Sequence, residues 1–292
     1  MSSAAHLVCC GLATLDVVQV VDHVPGPNEK LVAQDLTVTF GGPAANAAAT
    51  AVALGVPTTL VTALGAGSVG ELVRARLVAA GIEVVDLLDG VLGSPAVSTV
   101  LVTRSSGERA VVSVNATGTA DLQEAARSVA HVLDDATALL VDGHHRAAAA
   151  VLAAGAAVPV LLDGGSWKPG LERLLAHVDH AVLSADFAVP GTLDGDVLDV
   201  VAAFGPRTVA RSAGAGPVQI RLSGSPVVRS EVLPPVVPVG DVVDTLGAGD
   251  VLHGAIAAAL AREVDILEAI RDGVQQASES VRHRGALGWV GH

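Results

Sequence analysis

The sequence predicts an α/β protein built on a doubly wound, mostly parallel sheet, with helices on both faces and a small β-sheet lid. Three observations predict it. From about residue 122 onward, helix-period and strand-like segments alternate, which implies a parallel sheet covered on both sides. Two stretches, Leu31–Phe40 and Ser98–Val114, are too polar for such a core and suit strands with one wet face. Near the C-terminus a β-branched run stops at Asp244-Thr245-Leu246-Gly247-Ala248-Gly249-Asp250, and an apolar helix-period stretch follows from Val251 to Ala261. A strand is therefore expected to run into a glycine-rich turn that opens a helix.

Taken in order, Leu7–Val21 is rich in β-formers, with an interruption at Gly11–Asp16. Pro25-Gly26-Pro27-Asn28 is a turn and Leu31–Phe40 an alternating strand. Gly41-Gly42-Pro43 opens an alanine-rich helix to about Leu54; Thr58–Leu64 is a strand and Val69–Ala80 a helix. Ser98–Thr103 and Ala110–Val114 flank a hairpin turn at Arg104–Arg109. Helices are then expected at Leu122–Leu133, Ala147–Ala154, Leu171–His177 and Val197–Ala203. Strands are expected between them at Ala138–Val141, Val158–Leu162, Ala181–Leu183 and Thr208–Ala210. Antiparallel strands at Val218–Leu222 and Val227–Val232, a link containing Pro234, Pro235 and Pro238, and two final helices complete the chain. The polar strands form the lid over the C-terminal ends of the main strands, where open α/β sheets bind ligands.

Composition narrows the function. Lys and Arg total 17 against 30 Asp and Glu, a net charge of −13. Such a chain repels nucleic acid and anionic membranes, so neither is an expected partner. Aromatic residues make up 2% and Tyr is absent, which removes the stacking platforms of single-strand binders. The two cysteines, Cys9 and Cys10, are adjacent and point to opposite faces of a strand, so no disulfide joins them. A reducing, cytoplasmic setting fits. Without a basic N-terminal region, and with Asp16 and Asp22 breaking the first apolar stretch, neither a signal peptide nor a transmembrane helix is expected.

The glycine-rich turn carries the chemistry. Bare N–H groups at a helix start, backed by the helix dipole, hold a phosphate or other anion. An aspartate there repels such an anion, unless it takes a proton from the nucleophile attacking it. Asp250 thus reads as the base of a phosphoryl transfer to a hydroxyl; the competing reading is an ordinary N-terminal helix charge. Asp16, after a strand, and Asn46, in a helix's first turn, can face the same cleft, and an acceptor beside a donor suits a polyol. Each also reads as a plain turn or first-turn residue. Arg109 reads either as a clamp for a substrate acid or phosphate or as a solvated hairpin arginine. His253 is expected to pack beneath the site. Asp142-Gly143-His144-His145 and Asp163-Gly164-Gly165-Ser166-Trp167-Lys168 end strands at the same rim. They read as loop or ligand contacts rather than a metal centre, since adjacent histidines seldom share an ion. Gly65-Ala66-Gly67-Ser68-Val69-Gly70, with Glu83 and Asp86 some 20 residues on, is a formal dinucleotide fingerprint. It raises an NAD(P)-dependent oxidoreductase as a rival, one that leaves Asp244–Asp250 unexplained.

Together these features resemble the ribokinase-like, or PfkB, family of carbohydrate kinases. Asp244–Asp250 matches the family's C-terminal signature, Gly41-Gly42-Pro43-Ala44-Ala45-Asn46 its N-terminal one, and Gly11–Asp16 its first-strand Gly-x-x-x-x-Asp element. Order and spacing agree over almost the whole chain. The resemblance implies a single domain over 1–292, with a discontinuous lid from about 12–40 and 95–115. It implies an ATP-dependent kinase acting on a hydroxyl of a small sugar or sugar-like polyol, with Mg²⁺ accompanying the nucleotide. Asp250 would be the base, and the N–H groups of Gly247, Ala248 and Gly249 would hold the transferring phosphoryl group. Asp16, Gly42 and Asn46, with Arg109, would bind the sugar. Ser184, Ser212, Gly214, Thr245, Gly247 and Gly249 would lie along the nucleotide. Asp244 and the Leu246 carbonyl would form a monovalent-cation site, the place for K⁺ where the enzyme uses one. The chain departs from the family at Ser184-Ala185-Asp186-Phe187, where many members carry Asn-x-x-Glu that organises Mg²⁺, and at Gly65–Gly70, where an acid is lost. A nucleoside kinase of the same fold needs a platform for the base, and the lid offers only Phe40. A non-enzymatic sugar- or nucleotide-sensing relative is the third alternative. The lid strand at Leu31–Phe40 has an edge able to pair with a second copy, so a homodimer is an expectation.

Overall fold

The computed structural model describes residues 4–105, 108–114, 122–192 and 197–291. The main sheet has nine strands in the order β13-β12-β11-β10-β9-β8-β1-β4-β5. They are β1 (Leu7–Cys10), β4 (Thr58–Thr62), β5 (Glu83–Asp86), β8 (Ala138–Val141), β9 (Val160–Gly164), β10 (His180–Leu183), β11 (Thr208–Ala213), β12 (Gly216–Leu222) and β13 (Val228–Val232). Neighbours from β11 to β5 run parallel; β12 and β13 add an antiparallel edge. A separate sheet takes the order β3-β2-β6-β7, from β2 (Thr14–Val21), β3 (Asp35–Gly41), β6 (Ala96–Thr103) and β7 (Arg109–Ser113).

Helices cover both faces of the main sheet. Leu7 and Cys9 of β1 face one apolar cluster, Val8 and Cys10 the other, as the two-residue period of a strand requires. Both thiols are therefore buried, free and back to back, and burial raises their pKa. The first cluster takes α1 (Pro43–Ala53), α2 (Ser68–Ala79), α7 (Ala248–Ala261) and α8 (Ile266–Ser280). The second takes α3 (Gln123–Ser128), α4 (Arg146–Gly155), α5 (Leu171–Leu175) and α6 (Val197–Ala202). No helix among the described residues is long and apolar enough to cross a membrane.

The structure revises several expected elements. The strand expected at Leu31–Phe40 begins only at Asp35, because its partner β2 ends at Val21 and the last paired rung is Val20–Asp35. Asp16 lies inside β2, paired with Thr39, rather than after a strand. Glu83–Asp86, read only for its acids, is the edge strand β5. The helix expected at Leu122–Leu133 is split: Val129 leaves helical geometry (φ −104, ψ 7), and a 3₁₀ turn follows at Ala130–Leu133. The strand expected before the glycine-rich turn does not form. Between β13 and α7 only a 3₁₀ turn at Val239–Asp241 is regular; three prolines there lack the N–H that a ladder needs. The centre of the expected hairpin turn, Ser106-Gly107, lies outside the described residues.

Helices α1 and α7 meet almost backbone to backbone. A Cβ on Gly254 of α7 would stand 2.5 Å from the Ala47 carbonyl oxygen and 2.8 Å from Thr50 Cβ, both in α1. Closely packed interiors respond poorly to added atoms. We expect Gly254→Ala to cost about 1–3 kcal/mol of stability, read as a lower denaturation midpoint at unchanged m-value; an unchanged midpoint would show that the helices separate freely.

Candidate active site

Two helix starts face each other at the C-terminal edge of the parallel strands. Helix α7 begins at Ala248 behind Gly247, which sits in the left-handed region (φ 75), and no side chain caps its N-terminus. Only glycine serves there, because a Cβ would collide with Ala286. Apart from a long 3.4 Å bond from the Ala248 N–H to the Thr245 carbonyl, its first-turn N–H groups and the positive end of the dipole are left for a ligand. A Cβ on Gly249 would meet nothing within 4 Å, so the space before the turn is open. Asp250 is half-buried in that first turn. Opposite it, Asn46 in the first turn of α1 donates from Nδ2 to Asp250 Oδ2 at 2.6 Å. The Asn46 N–H bonds back to the Gly42 carbonyl at 2.9 Å, which ties the amide to the Gly41-Gly42 junction. Asp16, on the small sheet, reaches the same junction: its carboxylate accepts from Thr14 Oγ1 at 2.6 Å and fills the space where Gly41 lacks a Cβ.

Buried carboxylates set the electrostatics. Burial, then the nearby Asp163 carboxylate, pushes Asp250 up to about 7, while the Asn46 hydrogen bond lowers it. Asp163, inside β9, is pushed up to about 8 by burial and by Asp142. Burial also works to raise Asp142, but hydrogen bonding and charge from His144 hold it down at about 2. Asp142 is a junction: Oδ2 accepts from the N–H groups of Leu12 (2.7 Å) and Ala44 (3.3 Å), and Oδ1 from that of His144 (2.9 Å). It thereby ties β8 to the β1–β2 loop and to the start of α1. His253 packs beneath the turn, with Nδ1 2.6 Å from the Gly249 carbonyl and Nε2 3.0 Å from that of Val182. Burial lowers its pKa, so a neutral ring donates to one of the two. Asp142 and Asp163 were legible only as strand-end residues at the right rim; nothing local marked them as organisers.

The sequence profile of the pfkB family carbohydrate kinase matches residues 4–288. The chain belongs to this family. It is a carbohydrate kinase, a phosphotransferase. A ribokinase of Arabidopsis thaliana is 27% identical over 97% of this chain and 78% of its own length. Among solved structures, the ribokinase of Thermotoga maritima aligns with a TM-score of 0.78 at 20% identity, over 97% of this chain and 95% of that one. Arabidopsis thaliana ribokinase complexed with ribose and ATP aligns with a TM-score of 0.73 at 21% identity, over 98% and 96%.

Within this pfkB kinase the remaining predicted residues spread along the same edge. Ser184, just after β10, donates from Oγ to the Gly165 carbonyl at 2.8 Å. Ser212 is the penultimate residue of β11, and Gly214 (φ +57) turns the chain toward β12 with open space beside it. Arg109 of β7 crosses from the small sheet and spends its guanidinium on Asp244 Oδ1 (2.9 Å) and Thr245 Oγ1 (3.1 Å). Asp244 also accepts from the N–H groups of Leu246 and Gly285, each at 2.9 Å. The carboxylate expected to hold a monovalent cation is thus already neutralised by an arginine. Where the family has the Glu of Asn-x-x-Glu, Phe187 is fully buried against Trp167, ring centroids 6.3 Å apart, and Asp186 is exposed. Among the described residues no group of three or more His, Cys, Asp or Glu side chains is placed to hold a metal ion. The described residues therefore offer no Mg²⁺ cage, and an Mg²⁺ among them would rely on phosphate and water ligands. The glycines of Gly65–Gly70 have a packing role: Cβ atoms on Gly65 and Gly67 would stand 2.9 and 2.7 Å from Gly93 backbone atoms. Asp86 accepts from the N–H groups of Leu64, Gly65 and Leu88 and from Arg74, so the acid of the formal dinucleotide fingerprint is spent internally.

Because the Asn46 hydrogen bond lowers Asp250, Asn46→Ala is expected to move the Asp250 carboxyl above about 7. Titration of carboxyl-carbon chemical shifts reads this directly; an unmoved or lowered midpoint would contradict the arrangement.

Proposed function

We propose that this kinase transfers the γ-phosphoryl group of ATP to a hydroxyl of a small sugar or sugar-like polyol, with Asp250 as the base. The observation that carries the reading is a carboxyl raised to about 7 in the first turn of an uncapped helix. A base poised near neutrality suits proton transfer at ordinary pH. The sugar hydroxyl oxygen bonds to the γ-phosphorus as the bond to the ADP oxygen breaks, and the hydroxyl proton passes to Asp250. The N–H groups of Gly247, Ala248 and Gly249 receive the charge on the transferring phosphoryl oxygens, which is the main demand of this chemistry. Asp16, Gly42 and Asn46 hold sugar hydroxyls beside the base, and Ser184, Ser212, Gly214 and Thr245 lie along the nucleotide. The Arabidopsis thaliana ribokinase complexed with ribose and ATP makes a pentose the first substrate to try. A nucleoside is disfavoured because Phe40, the one aromatic of the small sheet's strands, is 7% exposed and packs in the core.

ADP release from Mg·ATP over a panel of pentoses, hexoses, polyols and nucleosides tests the reading. A sugar signal supports it, and turnover confined to nucleosides would replace the acceptor. Asp250→Asn is expected to lose about 100- to 10,000-fold in kcat while still binding sugar. In the wild type, kcat/KM should rise with pH through an acidic limb near 7, where Asp250 ionises. Near-normal turnover of Asp250→Asn would remove Asp250 from the base role.

We further propose that the Arg109 guanidinium serves where a monovalent cation would otherwise sit, so turnover should be indifferent to K⁺ against Na⁺. Arg109→Gln should then be slower and gain K⁺ dependence. A wild-type rate that climbs ten-fold with K⁺ would overturn this.

A further inference from the structure

A polar cavity of about 430 Å³ opens on the α3–α5 side of the main sheet, away from the α1–α7 contact. Its lining joins His144, His145 and Arg146 at the start of α4 with Gln123 of α3 and with Gly170 and Arg173 at the start of α5. His145 is 5% exposed, yet neither of its ring nitrogens has a hydrogen-bond partner. A buried polar group left in that state calls for an explanation. Helix α4 has ten residues, no side-chain cap and no acidic residue in its first turn. Its free N–H groups and positive dipole end therefore lie at the cavity, where Ala147 and Ala148 are part of the lining.

Charge points the same way. The chain carries −13 overall, and Arg74, Arg109, Arg207 and Arg221 each pair with an aspartate. No ion pair among the described residues involves Arg146 or Arg173; Arg146 makes only a 3.4 Å contact with the Gly143 carbonyl. The buried carboxylate just before this segment, Asp142, is committed to Leu12, Ala44 and His144. Burial keeps His145 neutral at ordinary pH, leaving it one N–H to give.

We propose that this cavity is a second anion site, which takes a phosphate group between the Arg146 and Arg173 guanidinium groups, the His145 ring and the first-turn N–H groups of α4. Arginine suits such a group because its fork of N–H donors matches oxyanion geometry. The site is linked to the cleft through His144, whose Nδ1 is 3.4 Å from Asp142 Oδ1. The phosphate comes either as the free ion or carried on a sugar.

The test reads binding and not turnover, so it stands apart from the kinase reading. Inorganic phosphate is titrated into the full chain against sodium chloride of equal ionic strength, followed by calorimetry and thermal unfolding. Phosphate also meets the glycine-rich turn, so the wild type is compared with Arg146→Gln/Arg173→Gln, which leaves that turn intact. Arg173→Gln alone, at an exposed position, guards against a double variant that fails to fold. We expect a phosphate-specific rise in Tm in the wild type and binding weakened at least ten-fold in the double variant. Equal phosphate affinity in wild type and folded variants, or no phosphate-specific shift in the wild type, would overturn the proposal. A parallel arm with fructose 6-phosphate separates the sources. Binding ten-fold tighter than phosphate, and lost in the variant, means a phosphate carried on a sugar; binding no tighter than phosphate, and lost in the variant, means the free ion.

Discussion

The close approach of α1 and α7 is the constraint on which the site depends. An asparagine side chain is short, and Asn46 reaches Asp250 at 2.6 Å only because Gly254 lets the α7 backbone settle on Ala47 and Thr50. On the other side of α7, Gly273 of α8 lies equally close to Leu252 and Ile256. The alanines and glycines of these three helices bury little area each. What they contribute is proximity, and with it many short contacts between atoms that larger side chains would hold apart. The same small residues that make the core close-packed also bring two helix starts to one cleft.

Charge is divided within that cleft by local donors. Three aspartates lie near one another in an acidic protein, and they do not ionise alike. Asp142, surrounded by backbone N–H groups and His144, stays charged down to about 2. Asp163 and Asp250, with fewer donors, are raised to about 8 and about 7. Their effects on stability have opposite signs. The depressed Asp142 stabilises the fold above its ordinary value near 3.8, and this is lost as pH falls through about 2. The raised pair costs nothing below the ordinary value near 3.8, and its cost grows as pH rises from there toward 8, because the carboxyls ionise more easily in the unfolded chain. A strained electrostatic arrangement at a functional cleft is a common place for such a cost.

Two segments at the cleft edge are held by tertiary contacts. Asp244 is balanced by an arginine from the small sheet, which also fastens that sheet beside the glycine-rich turn. The segment that lacks Asn-x-x-Glu sends Phe187 into the core against Trp167, so an acidic position has become an apolar plug.

Much of the fold and the cleft was legible in the sequence. The alternation of helix and strand, the opposed faces of Cys9 and Cys10, the Asp244–Asp250 turn and the start of α1 at Gly41-Gly42-Pro43 all follow from residue period, turn chemistry and local spacing. The start of β3 was not legible, because a strand ends where its partner ends, and neither was the loss of a strand before α7. The roles of Asp142, Asp163 and Arg109 were also hidden. Asp142 is 130 residues from Leu12, Arg109 is 136 from Thr245, and Asn46 is 204 from Asp250. The sequence by itself determined most of the helices, strands and turns, since these depend largely on neighbours along the chain. Only the tertiary structure decided which carboxylates meet donors and which stay raised, because desolvation and hydrogen bonding are set by groups that the chain brings together from far apart.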